Sequence, residues 1–64
     1  MARTWSEWSE MEAAGHRARA IEARRLAAES RAAGFRDQAA RHLIDARLHD
    51  LKAAALDATT RAAA

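Results

Sequence analysis

The sequence has 64 residues, with 11 basic and 9 acidic side chains and no cysteine, and its formal net charge is +2. This length allows one small domain, over residues 1–64, which would bury only about 60% of the surface that its unfolded chain exposes. Disulfide bonds are excluded, no apolar run approaches the ~18 residues that span a bilayer, and the charge alone does not indicate nucleic-acid binding. We therefore expect a cytoplasmic domain without a signal peptide, stabilised by a second subunit or a larger partner.

A first helix is predicted from about residue 4 to residue 33. Alanine, the strongest helix former, accounts for 20 residues, and proline is absent. Thr4 and Glu7 have the spacing of a capping box, in which each side chain accepts a hydrogen bond from the other residue's backbone amide. Gly34 is the expected end of the helix, because glycine readily adopts the left-handed conformation just past a helix terminus.

Gly15 leaves an alternative open, in which the chain forms three helices with a break at this residue. The residues around Gly15 repeat the pattern around Gly34, with two alanines before the glycine and an arginine two positions after it. However, no Ser, Thr, Asp or Asn follows Gly15 closely enough to cap a new helix. A glycine inside a helix costs only about 1 kcal/mol relative to alanine, so we favour one continuous helix.

A second helix is predicted from about residue 37 to residue 60, after a turn at about 34–36, with Asp37 as its N-cap. Two apolar stripes follow opposite sides of this helix. The first stripe consists of Ala40, Leu43, Ile44, Leu48, Leu51, Ala55 and Ala58, and the second consists of Phe35, Ala39, His42, Ala46, His49, Ala53 and Leu56. One hairpin can cover only one of them.

The first helix has a matching stripe, which consists of Met11, Ala14, Ala18, Ile21, Arg25, Ala28 and Ala32. We expect this stripe to pack on the first stripe of the second helix, with Ile21 opposite Leu48 and Glu22 opposite Arg47. The predicted fold is therefore all-α, an antiparallel two-helix hairpin. Its uncovered stripe, with Phe35, His42, His49 and Leu56, is the predicted contact with a second chain, which would make a homodimeric four-helix bundle.

The repeated Trp-Ser-Glu segment places Trp5 and Trp8 at the start of the first helix. Tryptophan is enriched in binding hot spots, which favours a partner-binding role. Tryptophan also closes the ends of helical bundles, and the predicted hairpin places Trp8 near Arg61 at the end of the second helix. Both interpretations are open, a plug within the bundle and a partner-binding site.

Arg17, Arg24 and Arg31 recur every seven residues and therefore share one face of the first helix. Such a stripe can contact phosphates or an acidic protein surface. The pattern is more typical of a solvated helix face, since Arg25 and Glu29 have the spacing of a helical ion pair and no aromatic side chains interleave to stack bases. An anionic partner, including nucleic acid, is thus a hypothesis.

The sequence predicts no metal, cofactor or catalytic site. His42 and His49 are about 10.5 Å apart along a helix axis, too far for one metal ion to bind both, although Asp45 lies between them. Histidines in a packed seam would instead make assembly sensitive to pH. There is no cysteine, no glycine-rich phosphate loop and no glycine-bounded nucleophile turn, so we expect a protein that is not an enzyme.

The spacing of Leu26, Gly34, Ala39, Leu43 and Ala46 resembles one tetratricopeptide-type helix pair over about residues 23–50. The chain departs from that repeat at Ala23, where a large aromatic residue is usual, and it lacks the proline after the second helix. The resemblance implies a helix pair and protein binding. In size and architecture the chain is also similar to the Rop-type RNA-binding regulators, which dimerise into four-helix bundles.

The predicted function is that of a small interaction or regulatory protein that binds a larger protein or assembly through its helix faces. A phage- or plasmid-type inhibitor is one form of this hypothesis, and it is based on size alone. The alternatives are a Rop-like, dimeric, nucleic-acid-binding regulator that uses the arginine stripe, and a structural subunit of a larger assembly.

Overall fold

The computed structural model describes residues 4–63 and contains two helices, α1 (Trp5–Ala32) and α2 (Arg36–Ala63). They lie side by side in opposite directions, and their Cα atoms extend over 47 × 22 × 10 Å. The predicted all-α antiparallel hairpin is confirmed. Because α1 continues through Gly15 without interruption, the three-helix alternative is wrong. Within the described residues, neither helix combines the length and apolarity needed to cross a membrane.

Local hydrogen bonds fix both ends of α1. The Glu7 amide donates to the Thr4 hydroxyl at 3.1 Å, and the Thr4 amide donates to the Glu7 carboxylate at 3.4 Å, so the predicted capping box is present. At the other end Gly34 has φ +87°, and its amide donates to the Arg31 carbonyl at 3.0 Å. The Phe35 amide donates to the Ser30 carbonyl at 2.8 Å, which completes a Schellman motif.

The bounds of α2 differ from the prediction of about 37–60, since the helix begins at Arg36 and ends at Ala63. The Ala39 amide donates to the Phe35 carbonyl at 3.0 Å. Phe35, and not Asp37, therefore occupies the N-cap position. Asp37 lies in the first turn instead, where its negative charge interacts favourably with the positive end of the helix dipole.

The core of the hairpin consists of small side chains in an antiparallel coiled-coil seam, which we call the hairpin seam. Its residues recur at spacings of three and four on both helices, the pattern of two helices that pack along their whole length; on α2 buried and half-buried residues alternate, whereas on α1 nearly all are buried. On α1 the buried residues are Ser9, Ala13, Ala20, Ala23, Ala27 and Ser30, and on α2 they are Ala39, Ala46 and Ala53. The half-buried residues between them are His16 on α1, and His42, His49, Leu56 and Thr60 on α2.

The prediction of which stripes pack inside the hairpin is wrong. Ile21 and Leu48, expected to meet in the interface, are 67% and 51% exposed. Glu22 pairs with Arg25 on its own helix and not with Arg47. The second stripe of α2 packs against α1, because alanine lets two helix backbones approach closely along their whole length. The stripes with larger side chains face outward.

Candidate interaction surfaces

Trp5 and Trp8 form a stacked aromatic pair on the first two turns of α1. Their ring centroids are 4.9 Å apart, with 26° between the ring planes. The capping box orders the backbone beneath them, and the Ser9 hydroxyl donates to the Trp5 carbonyl at 2.9 Å. The two side chains are 56% and 43% exposed, so they do not plug the end of the hairpin within one chain.

His16 and His49 meet in the hairpin seam. Their Nδ1 atoms are 2.9 Å apart and their ring centroids 5.2 Å apart, and the Nε2 atom of His49 lies 3.5 Å from a carboxylate oxygen of Asp45. Desolvation lowers the pKa of His16 below its ordinary value, and the charges of His49, Arg19 and Lys52 act in the same direction. Desolvation and these neighbouring charges therefore favour the neutral form of the His16 imidazole.

The predicted contact stripe for a second chain lies mostly within the hairpin seam. His49 contacts His16, and His42 and Leu56 are half-buried at neighbouring positions of the seam. Phe35 is different, since it is 59% exposed beside the turn. A second chain at the positions of His42, His49 and Leu56 would have to displace α1, whereas Phe35 is accessible in the hairpin as it stands.

The arginine stripe of α1 flanks the hairpin seam. Arg17 Nη1 lies 3.0 Å from an Asp57 carboxylate oxygen, and Arg24 forms an ion pair with Asp50. Arg31, the third member of the stripe, forms no ion pair among residues 4–63. Two of its three arginines thus bind carboxylates of α2 and help to hold the helices together. Sequence reasoning missed these pairs because it opposed the wrong faces of the helices.

The exposed side of α2 carries most of the large apolar side chains of that helix. Ile44, Leu48 and Leu51 are 61%, 51% and 55% exposed, and their spacing of four and three residues places them on one stripe. We call this stripe, continued by Ala55 and Ala58, the outer seam of α2. The sequence had identified these residues as apolar and in register, but placed them inside the hairpin.

The described residues 4–63 contain no group of three or more His, Cys, Asp or Glu side chains with the geometry to hold a metal ion. A shallow groove runs beside the turn, with Arg24, Arg31 and Arg36 around a floor of alanines and Leu43. It is open to solvent and has no buried polar group in its lining. Comparison of the chain with protein-family models, with curated proteins and with solved structures gives no significant match.

Proposed function

We propose that this chain is a small, non-enzymatic interaction protein that binds a larger protein or assembly through its helix faces. The observation that supports this function is the distribution of the apolar side chains. Among the described residues, the fully buried apolar side chains are all alanines. The larger apolar side chains at the surface are Trp5, Trp8, Met11, Ile21, Phe35, Leu43, Ile44, Leu48 and Leu51. Exposed apolar groups in this density are typical of protein-binding surfaces.

The partner is proposed to bind the tryptophan pair on α1. Trp5 and Trp8 stack on each other and stand on a capped helix, so little side-chain freedom remains to be lost on binding. Buried aromatic anchors of this kind dominate the binding energy of many interfaces. Glu12 lies one turn after Trp8 on the same face of the helix. We therefore expect a partner with an apolar pocket and a basic side chain beside it.

Capture of a partner by the double variant Trp5→Ala/Trp8→Ala tests this proposal. The tagged wild-type chain should retain a protein from the native host extract, and the double variant should retain at least tenfold less of it, since each lost aromatic anchor typically costs 2 kcal/mol or more. Because both side chains are exposed, the helical circular dichroism signal should not change. Ile21→Ala, also exposed and on the same helix, is the matched control and should capture the partner normally. Equal capture by all three proteins would contradict the proposal.

The nucleic-acid-binding alternative depends on the arginine stripe, of which Arg17 and Arg24 already bind Asp57 and Asp50. An RNA or DNA ligand would have to compete with these carboxylates. If that function operates, affinity for nucleic acid should fall steeply with salt and should be lost in a variant with reversed charge at Arg17, Arg24 and Arg31. Under the third hypothesis, a structural subunit, the isolated chain would show neither partner capture through the tryptophan pair nor salt-dependent binding of nucleic acid.

A further inference from the structure

The outer seam of α2 has the geometry of a second coiled-coil interface. Ile44, Leu48, Leu51, Ala55 and Ala58 follow each other at spacings of four and three residues, the same pattern as the hairpin seam on the other side of the helix. Arg41 continues the pattern toward the turn. The hairpin uses only one side of α2, and it leaves this stripe of larger side chains exposed.

We propose that a second copy of the chain covers the outer seam, with the two α2 helices antiparallel about a two-fold axis near Ala46. In this register Ile44 of each chain packs against Leu48 of the other, and Leu51 packs against the aliphatic part of Arg41. A two-fold axis repeats every contact, so four large apolar side chains meet at the centre of the interface. The proposal does not depend on the tryptophan surface.

The charged residues beside the outer seam select this register. Asp45 and Lys52 flank the seam on one side and Arg47 flanks it on the other. In the proposed register, Asp45 of each chain lies opposite Lys52 of the other, and Arg47 lies opposite Ala40. These positions therefore form two attractive pairs and no like-charged pair.

The neighbouring arrangements place like charges together. An antiparallel register shifted by seven residues would oppose Arg47 to Arg47 and Lys52 to Lys52. Parallel, in-register helices would place Arg47 beside Lys52 twice. Like charges at such positions disfavour a pairing, so the charge pattern favours the proposed arrangement over these alternatives.

The hairpin seam is itself flanked by ion pairs between its two helices. These pairs are Arg17 with Asp57 and Arg24 with Asp50, at positions that an antiparallel coiled coil brings together. At the outer seam Lys52 is exposed and forms no ion pair within residues 4–63. One carboxylate oxygen of Asp45 lies 3.5 Å from Nε2 of His49, but the Asp45 side chain is 58% exposed, so both groups are accessible to a second copy.

Charge reversal at the two flanking positions tests the register. Asp45→Lys alone places two lysines opposite Lys52, and Lys52→Asp alone places two aspartates opposite Asp45. Each single variant should dimerise roughly tenfold or more weakly than the wild type in sedimentation equilibrium. An equimolar mixture of the two variants should recover dimers, because every pair across that heterodimer is again attractive.

The recovery can arise only between chains. Positions 45 and 52 are about 10.5 Å apart along the helix, so their side chains do not pair within one chain. The doubly reversed chain should also regain wild-type dimerisation. Circular dichroism of each variant would establish that the hairpin is intact, since both side chains face solvent.

Leu48→Lys tests the seam itself and should abolish the dimer, whereas Ile21→Lys, at a position on α1 that is also exposed, should not affect it. A wild-type chain that is monomeric at every soluble concentration would overturn the proposal. A mixture of the charge variants that associates no better than either alone would overturn the register. If the chain is monomeric and Leu48→Lys abolishes its binding of a different protein, the outer seam is the binding site of that protein and the homodimer is wrong.

Discussion

At the scale of single residues, the contact between His16 and His49 should make the stability of the hairpin depend on pH. At 2.9 Å one Nδ1 atom has to donate a proton and the other to accept it, so two protonated rings are incompatible with the contact. Desolvation and the positive groups Arg19 and Lys52 lower the pKa of His16, and Glu12 opposes them. The folded state therefore binds a proton at His16 less readily than the unfolded chain does.

Stability should consequently fall as the pH drops below neutral. Between the ordinary histidine pKa of about 6.5 and the lower pKa of folded His16, the unfolded chain binds more protons than the folded chain, and the free energy of unfolding decreases with decreasing pH. Above pH ~7.5 both states are neutral at this position and the contribution is constant. Thermal melts at pH 7.5 and 5.5 should give a lower Tm at pH 5.5, and His16→Gln should reduce the difference. An equal or higher Tm for the wild type at pH 5.5 would contradict this assignment.

At the scale of the helices, the ends could be predicted from sequence because their interactions are local. Thr4 and Glu7 are three residues apart, and Gly34 is required by a backbone conformation with φ +87° that other residues rarely adopt. The pairing of the helix faces is not local. The sequence interpretation opposed Ile21 to Leu48, whereas close packing of two backbones favours the stripe with Ala46.

Replacing one alanine by leucine in the hairpin seam, and another in the exposed stripe of α1, should show which stripe packs inside the hairpin. Ala46 is 2% exposed in the hairpin seam, so Ala46→Leu should push the helices apart and destabilise the hairpin by about 1–3 kcal/mol. Ala18 belongs to the stripe that sequence reasoning had placed inside, yet it is exposed, and Ala18→Leu should change stability by no more than about 0.5 kcal/mol. Urea denaturation of both variants would measure the difference. A larger cost at Ala18 than at Ala46 would restore the stripe pairing inferred from sequence.

At the scale of the whole molecule, the hairpin is a layer one helix thick, and most of its larger apolar side chains are exposed, with Leu56 half-buried in the hairpin seam. The composition indicates that the hairpin associates with another chain, but not which surface it uses. Scarcity of large apolar residues and a short chain predicted a need for further association, and the structure identifies the surfaces available for it. The tryptophan pair was found directly from its repeat. The outer seam of α2 could not be predicted in this way, because α2 has apolar stripes on two opposite sides and the sequence does not determine which of them packs on α1.

Dimerisation through the outer seam should make thermal stability depend on protein concentration. A second copy that binds the folded chain but not the unfolded one stabilises it by mass action, by about 2.7 kcal/mol at a hundredfold excess over the dissociation constant. For a domain of this size that corresponds to a rise in Tm of roughly 10–20 °C. Leu48→Lys should match the wild-type Tm in dilute solution, because Leu48 is 51% exposed in the hairpin, and should lose the rise at high concentration. If Leu48→Lys instead lowers Tm equally at every concentration, Leu48 stabilises the hairpin itself and the outer seam is not where two copies meet.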